Sequence, residues 1–562
     1  MPQGEDETLF RIVNRSAAGG VNTRVFALDI QDDQLVEGQN IDASTPGQRV
    51  KRMGWEGAAA GFSKGPVLAT SGFFGQGVSK ELIVVSEGDN AADNLRLWSW
   101  DGNSSDWTLA ATLTGYDNST DQKVDLILGF DIVGSPKIHN IWINYNSSTV
   151  NGRYFWDGTD LNSTVSTGNG MDPIGNSLIP GHNLLTFGFG RAWATANGAN
   201  QNNLFYSDVA SWTATGWSTI QALRLGNGSD VIVGASPFRG REVIVWMQNS
   251  IESIIVDQPN FFTDSTADPT NWSREVVDTS LGSNSRRSVA PFGQDIYFAD
   301  QYGSIRSIAR TINDASQGVR SDPVSDPIDA WTRRINPAAL AEIVCEAHDR
   351  WLLVGLPIDD ATTPSHLFAL DVARSFQVGR PTWDGPWTNL DPKRMVSFGF
   401  DSASDSKDER PTLYIGNATN TTGSVLKFFR GFDDGGSDIV YQEVSKRYSV
   451  DVLDLKKDLR RMRLFAVATA NVTMRVELNP DAKGWQTLGF ANLLGDSPTF
   501  PTVIPFDLGG TGVVETKLDF DGVSLDPVRD VQFRFTATTD KEVKLLGYHV
   551  YGFRENFSWG TC

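Results

Sequence analysis

"REVIVWMQNS", Arg241 to Ser250, carries the reading of the fold. Five apolar residues, Val243 to Met247, lie between a charged pair and a polar turn. The run is too short for a helix and rich in β-branched and aromatic side chains, which predicts a strand buried on both faces. The same unit recurs along the chain. "ELIVVSEG" surrounds Ile83, "HNIWINYN" Ile141, "GRAWATANG" Trp193, "QDIYFADQYG" Tyr297, "DRWLLVGLP" Leu352 and "PTLYIGNAT" Tyr414. Successive copies stand roughly 50 to 60 residues apart, the period of large propeller blades.

Each copy has similar flanks. Upstream is a second apolar strand ending in a small or polar turn, as in "VLATSGFFGQG", "VIVGASPFRG" and "MVSFGFDSASD". Downstream of most copies is an aromatic strand with an Asp-containing turn, as in "LRLWSWDGNSSDW" and "RYFWDGTDLN". Strand, turn, strand, turn, aromatic strand is the order of one propeller blade. A blade has two apolar faces that only neighbouring blades can cover, so a ring of about seven repeat units is expected over residues 61–436. A set of β-sandwich domains is the alternative.

Beyond "RGFDDGGSD" the pattern changes. A basic cluster (Lys456, Lys457, Arg460, Arg461, Arg463) leads into alternating strands, and Val531, Phe533 and Phe535 alternate with Gln532 and Arg534. Such alternation suits a sheet with one buried face. Residues 437–562 are therefore expected to form a C-terminal β-sandwich, whose basic cluster contacts acids of its own domain or a neighbouring chain. The whole is an all-β protein, preceded by an extended N-terminal segment over residues 1–60.

The 562-residue chain carries 68 acidic against 48 basic side chains, a formal charge of -20. That balance argues against wrapping nucleic acid, which needs Lys and Arg against phosphates. It fits either an ordinary soluble surface or a wall along which DNA slides. Cys345, in "AEIVCEAHDRWLLVG", reads as a buried thiol, and the second cysteine is Cys562, so neither a disulfide framework nor a Cys/His metal cluster is expected. "MPQGEDETLF" has neither the basic nor the apolar region of a secretory signal, and no run approaches a membrane span. The N-x-S/T triplets at Asn103-Ser104-Ser105 and Asn162-Ser163-Thr164 read as turn-rich loops.

No catalytic, cofactor-binding or metal-ligating residue is assigned. His139, His182, His348, His366 and His549 show no ligand spacing, and His348 falls at an expected hairpin turn. "DDGGSD", Asp433 to Asp438, lacks the spacing of a calcium loop and reads as a linker. "WDGPW", Trp383 to Trp387, and "WSWDG", Trp98 to Gly102, set aromatics beside an acid, as sugar sites do; the same residues also serve as blade core plus turn.

The opening peptide, "GGVNTRVFALDIQDDQLVEGQNIDASTPGQRVKRMGW", is extended, amide-rich and ends in a basic run. Gly19-Gly20-Val21-Asn22, Gln39-Asn40-Ile41-Asp42 and Arg49-Val50-Lys51-Arg52 resemble the N-terminal signature of phage virion proteins of the tail-nozzle and head-to-tail stabilisation type. Met53-Gly54 stands where that signature has Pro-Gly. The resemblance implies a non-enzymatic structural protein, a homo-hexameric ring around the DNA exit channel of a tail. It implies adaptor and fibre proteins as partners, DNA passing without specific binding, no membrane, and a virion location after assembly in the host cytoplasm. The peptide itself reads either as an interface segment that adds a strand to a neighbour's sheet or as a lead-in strand to the first blade. The alternative function is a carbohydrate-binding or glycoside-cleaving propeller.

Overall fold

The computed structural model describes residues 9–14, 18–45, 47–59, 66–73, 80–87, 94–114, 124–130, 139–145, 152–156, 182–196, 201–207, 221–226, 228–256, 272–319, 321–400, 411–417, 424–449, 457–493, 514–519 and 528–554. Cys562, Lys456 and the triplet at Asn162 lie outside the described residues. The described chain is mostly β-strand. Short antiparallel sheets follow one another along it, and a separate large antiparallel domain stands beside them.

Seven small sheets begin, in chain order, with strands Val67–Phe73, Asp125–Phe130, His182–Gly188, Ile232–Phe238, Ala290–Phe292, Val344–His348 and Pro392–Phe398; the sixth is continuous, through the pairing of Gly385 with Gly38, with a sheet of the large domain. Each first strand pairs with one of the repeat strands singled out in the sequence: Glu81–Glu87, His139–Tyr145, Arg191–Ala196, Glu242–Met247, Asp295–Ala299, Trp351–Leu356 and Thr412–Asn417. The fourth sheet shows why these strands are apolar throughout. Val243, Val245 and Met247 pack with Trp193, Leu204 and Tyr206 of the third sheet, while Ile244 and Trp246 pack with Ile296 and Phe298 of the fifth. Alternate side chains thus face different neighbouring sheets, and a period-two polar face has no place to go.

Most first strands lie beside the next, the fourth meets the fifth sheet through the turn Arg286–Ser288, and that of the seventh lies against that of the first. The seventh sheet takes its last strand, Trp55–Gly57, from the start of the chain. In four first strands the ladder skips a residue, at Leu68, Leu185, Val233 and Lys393. These are β-bulges, and each removes a residue from the ladder.

The large domain has two sheets around one core. One holds Lys457–Ala468 and Val543–Arg554; the other holds Ile439–Ser445, Val531–Thr539, Val472–Pro480 and Gln486–Leu493. Met462, Leu464, Leu545 and Val550 of the first meet Tyr441, Val476, Phe533 and Phe535 of the second. Of the basic cluster, Arg460 pairs with Asp458 at 2.5 Å and Arg463 lies over the Tyr551 ring, both within this domain.

The opening peptide, expected as an interface segment or a lead-in strand, is built into this domain as well. Leu9–Asn14 pairs along Val543–Arg554, and Gln34–Gln39 pairs with Ile439–Ser445, more than 400 positions away by the register Gln39 to Gln442. Phe10, Ile12, Val21, Leu35 and Ile41 belong to the shared core. Its basic run is buried. Arg49 lies 3.2 Å from Glu443 with both side chains enclosed, and Arg52 holds Asp434 at 2.6 Å. Lys51 donates to the carbonyls of Phe432 and Thr539, and burial pushes its ammonium down to about 8. The glycines have the same local cause. A Cβ on Gly20, at φ +69, would stand 2.5 Å from the Trp383 carbonyl, and one on Gly54 would stand 1.7 Å from that of Asp433.

Candidate functional site

The first strands bring together a polar constellation that spans several sheets. Arg394 of the seventh sheet donates Nε to the Leu68 carbonyl of the first and Nη1 to the carbonyl of Lys393. Arg286, just before the fifth sheet, donates to the Leu185 carbonyl of the third at 2.9 Å. Leu68, Leu185 and Lys393 are all bulge residues. A bulge leaves its extra residue outside the ladder, so its carbonyl needs another donor. The guanidinium groups supply it and draw the first strands together.

Glu342 lies among these arginines, 3.3 Å from Arg287 and 3.9 Å from Arg394, with more than a quarter of its side chain exposed. Ser285 fixes the approach of this segment by donating to the carbonyls of Ala341 and Ile343. Four residues on, Glu346 accepts the Ser397 amide at 3.0 Å, and His348 Nδ1 lies 2.9 Å from the Ser397 hydroxyl. Glu346 is half-buried, and desolvation pushes its carboxyl up to about 8 against the opposing effect of the Ser397 amide. His348 stacks on Phe429 and is held below the usual histidine range by burial. At neutral pH the strand therefore presents a protonated carboxyl and a neutral imidazole, a few residues from a carboxylate that faces two guanidinium groups. A carboxylic acid kept protonated at the working pH is a proton donor.

The other sequence candidates lie elsewhere. Trp383 and Trp387 are fully buried, and Asp384 binds Arg374 at 2.7 Å; Trp98 and Trp100 are buried and Asp101 caps the following turn. The first motif is a buried strand, and the second is sheet core plus turn. Asp434 in "DDGGSD" is taken by Arg52, and Cys345 is a buried thiol. No group of three His, Cys, Asp or Glu that could hold a metal occurs among the described residues. The sequence does not single out Glu342 and Glu346, because "AEIVCEAHDRWLLVG" reads as an apolar run. Part of the signal is present: Glu346 and His348 fall on alternate positions, one face of the strand Val344–His348, while Glu342 ends the short helix before it.

No family model and no curated protein matches the chain. Solved structures that match include an exo-beta-1,3-galactanase from Phanerochaete chrysosporium, at 11% identity over 86% of this chain and 99% of that one, with a TM-score of 0.26. A glycoside hydrolase family 43 arabinoxylan arabinofuranohydrolase from Bacillus subtilis matches at 10% over 89% and 99%, TM-score 0.21. An alpha-L-arabinanase from Penicillium chrysogenum matches at 8% over 68% and 99%, TM-score 0.26. The tail-nozzle reading is corrected here, together with its non-enzymatic assignment and its viral vocabulary. These three are a galactanase, an arabinofuranohydrolase and an arabinanase, none of them a phage tail protein. The residues that suggested a virion protein are occupied in packing the chain's own two-sheet core.

Proposed function

We propose that the seven small sheets close as a seven-bladed β-propeller beside a β-sandwich, and that the chain acts on glycans at the centre of the propeller. The succession of contacts among the first strands, bridged between the fourth and fifth sheets by Arg286–Ser288 and joining the seventh to the first, supports closure. The observation that carries the activity is Glu346, a carboxyl raised to about 8 by its surroundings on a central strand. In this reading Glu346 gives its proton to the glycosidic oxygen as the bond to the anomeric carbon breaks. Water attacks that carbon from the other side and passes its proton to Glu342.

The test is the release of reducing ends from a panel of neutral and acidic polysaccharides by the whole chain and by Glu346→Gln. Cleavage of at least one polymer, reduced roughly 100-fold or more in the variant, is expected for loss of a general acid. No cleavage across the panel, or equal cleavage by the variant, overturns the proposal.

A further inference from the structure

Away from the central strands, a cleft of about 280 Å³ opens between the fifth and sixth sheets, lined by Tyr297, Val324, Leu370, Val372, Phe376 and Arg380, among others. Tyr297 comes from the second strand of the fifth sheet and Leu370 from the third strand of the sixth. The helix Val372–Val378, capped by Asp371 and ended by Gly379 at φ +75, carries Phe376 to the rim. There the ring is 83% exposed, a large apolar surface left in water beside an apolar recess.

One buried donor at this cleft lacks an acceptor, and a second donor faces it. Arg380 is steered by Gln31 and by Asp33 at 2.7 Å, yet its Nε is buried with no hydrogen-bond partner. The Tyr297 hydroxyl has no hydrogen-bond partner among the described residues, and burial with nearby Asp295 holds it protonated, up to about 12. A buried donor without an acceptor is costly and uncommon, so Arg380 Nε, beside a Tyr297 hydroxyl that is open to the recess, calls for a ligand that brings an acceptor.

The geometry points to a subsite for an acetamido sugar. The acetyl methyl would fill the recess formed by Val324, Leu370 and Val372, its carbonyl oxygen would accept from Tyr297 and Arg380, and the apolar face of the pyranose would lie on Phe376. Glucose and its polymers offer the stacking face but neither methyl nor carbonyl, so they lack two of the three contacts. The inference rests on the glycan reading above and names the sugar class that reading leaves open.

Binding of N,N′-diacetylchitobiose and of cellobiose to the whole chain, followed by saturation-transfer NMR, tests it. The acetyl methyl is expected to receive the strongest transfer, and cellobiose to bind at least about tenfold more weakly. Tyr297→Phe, which keeps the ring, is expected to weaken diacetylchitobiose roughly 5- to 10-fold by removing one hydrogen bond. Phe376→Ala, at an exposed position that leaves the core intact, is expected to weaken it about tenfold. Equal binding of the two disaccharides, no binding of either, or binding untouched by both variants overturns the subsite. Because the readout is binding, the two proposals fail separately. A chain that binds diacetylchitobiose but releases no reducing ends keeps this site and loses the central one; a chain that cleaves polysaccharide without preferring the acetamido sugar does the reverse.

Discussion

The small sheets and the two-sheet domain solve the same burial problem with opposite connectivity. In the fourth sheet, Ile232–Phe238, Glu242–Met247 and Ile251–Ile255 are consecutive hairpins, and every pairing is local. In the two-sheet domain, Leu35 pairs with Ser445 and Phe10 with Gly552, so the core closes only when both ends of the chain meet. Local pairing can form early and repeat; pairing of chain ends must wait for everything between them. The opening peptide therefore matters to the second region far more than to the first.

Removing residues 1–53 should break this contrast most severely. It deletes Leu9–Asn14, Gln34–Gln39 and Arg49–Lys51 from the two-sheet domain and leaves Glu443 buried without Arg49. Hydrogen exchange should show protection lost across Ile439–Ser445 and Val531–Thr539 while Glu242–Met247 stays protected. Protection retained in both regions would mean that the peptide is dispensable to the core.

Single substitutions sharpen the comparison. Trp193, fully buried against Tyr206 and Trp272, should cost about 3–5 kcal/mol on replacement by Ala in urea unfolding, because a large cavity opens between sheets. In the two-sheet domain the sensitive element is polar. Arg49→Met should cost about 3–5 kcal/mol by leaving Glu443 charged and unpaired, and adding Glu443→Leu should recover most of it. A double variant as unstable as the single one would show that the pair itself, beyond its mutual compensation, holds the sheets together.

A smaller effect belongs to the central strands. The Glu346 carboxyl is raised in the folded chain, so between its ordinary value of 4.5 and about 8 the folded state holds more protons than the unfolded one. Stability therefore falls as pH rises through that window. Glu346→Gln removes the dependence and should be more stable than the parent by about 1–3 kcal/mol above pH 8. A parent and variant with parallel stability profiles from pH 5 to 9 would place Glu346 in an ordinary, solvated setting.

What could be read in advance follows the same division. The seven repeat strands were legible because each is bounded by its own turns, and double-sided burial leaves an uninterrupted apolar run such as Val243 to Met247. The role of Arg49, Lys51 and Arg52 was not, since these residue types are seldom enclosed and their partners Glu443, Thr539 and Asp434 lie hundreds of positions away. Gly20 and Gly54 looked like a signature and answer instead to the close approach of Trp383 and Asp433. At the candidate site, the arginine contacts to Leu68 and Leu185 depend on bulges that no local residue pattern announces. The alternation of Glu346 and His348 is visible but masked by the apolar residues around them, and the short helix that carries Glu342 gives no such pattern.

The central claim is that a carboxyl on the strand Val344–His348 keeps its proton at neutral pH, and side-chain 13C NMR of Glu346 reads it directly. With Glu346→Gln assigning the resonance, the carboxyl carbon of the parent should titrate near pH 8. Titration near 4.5, the ordinary glutamate value, would leave the strand without a proton donor at neutral pH and contradict the account.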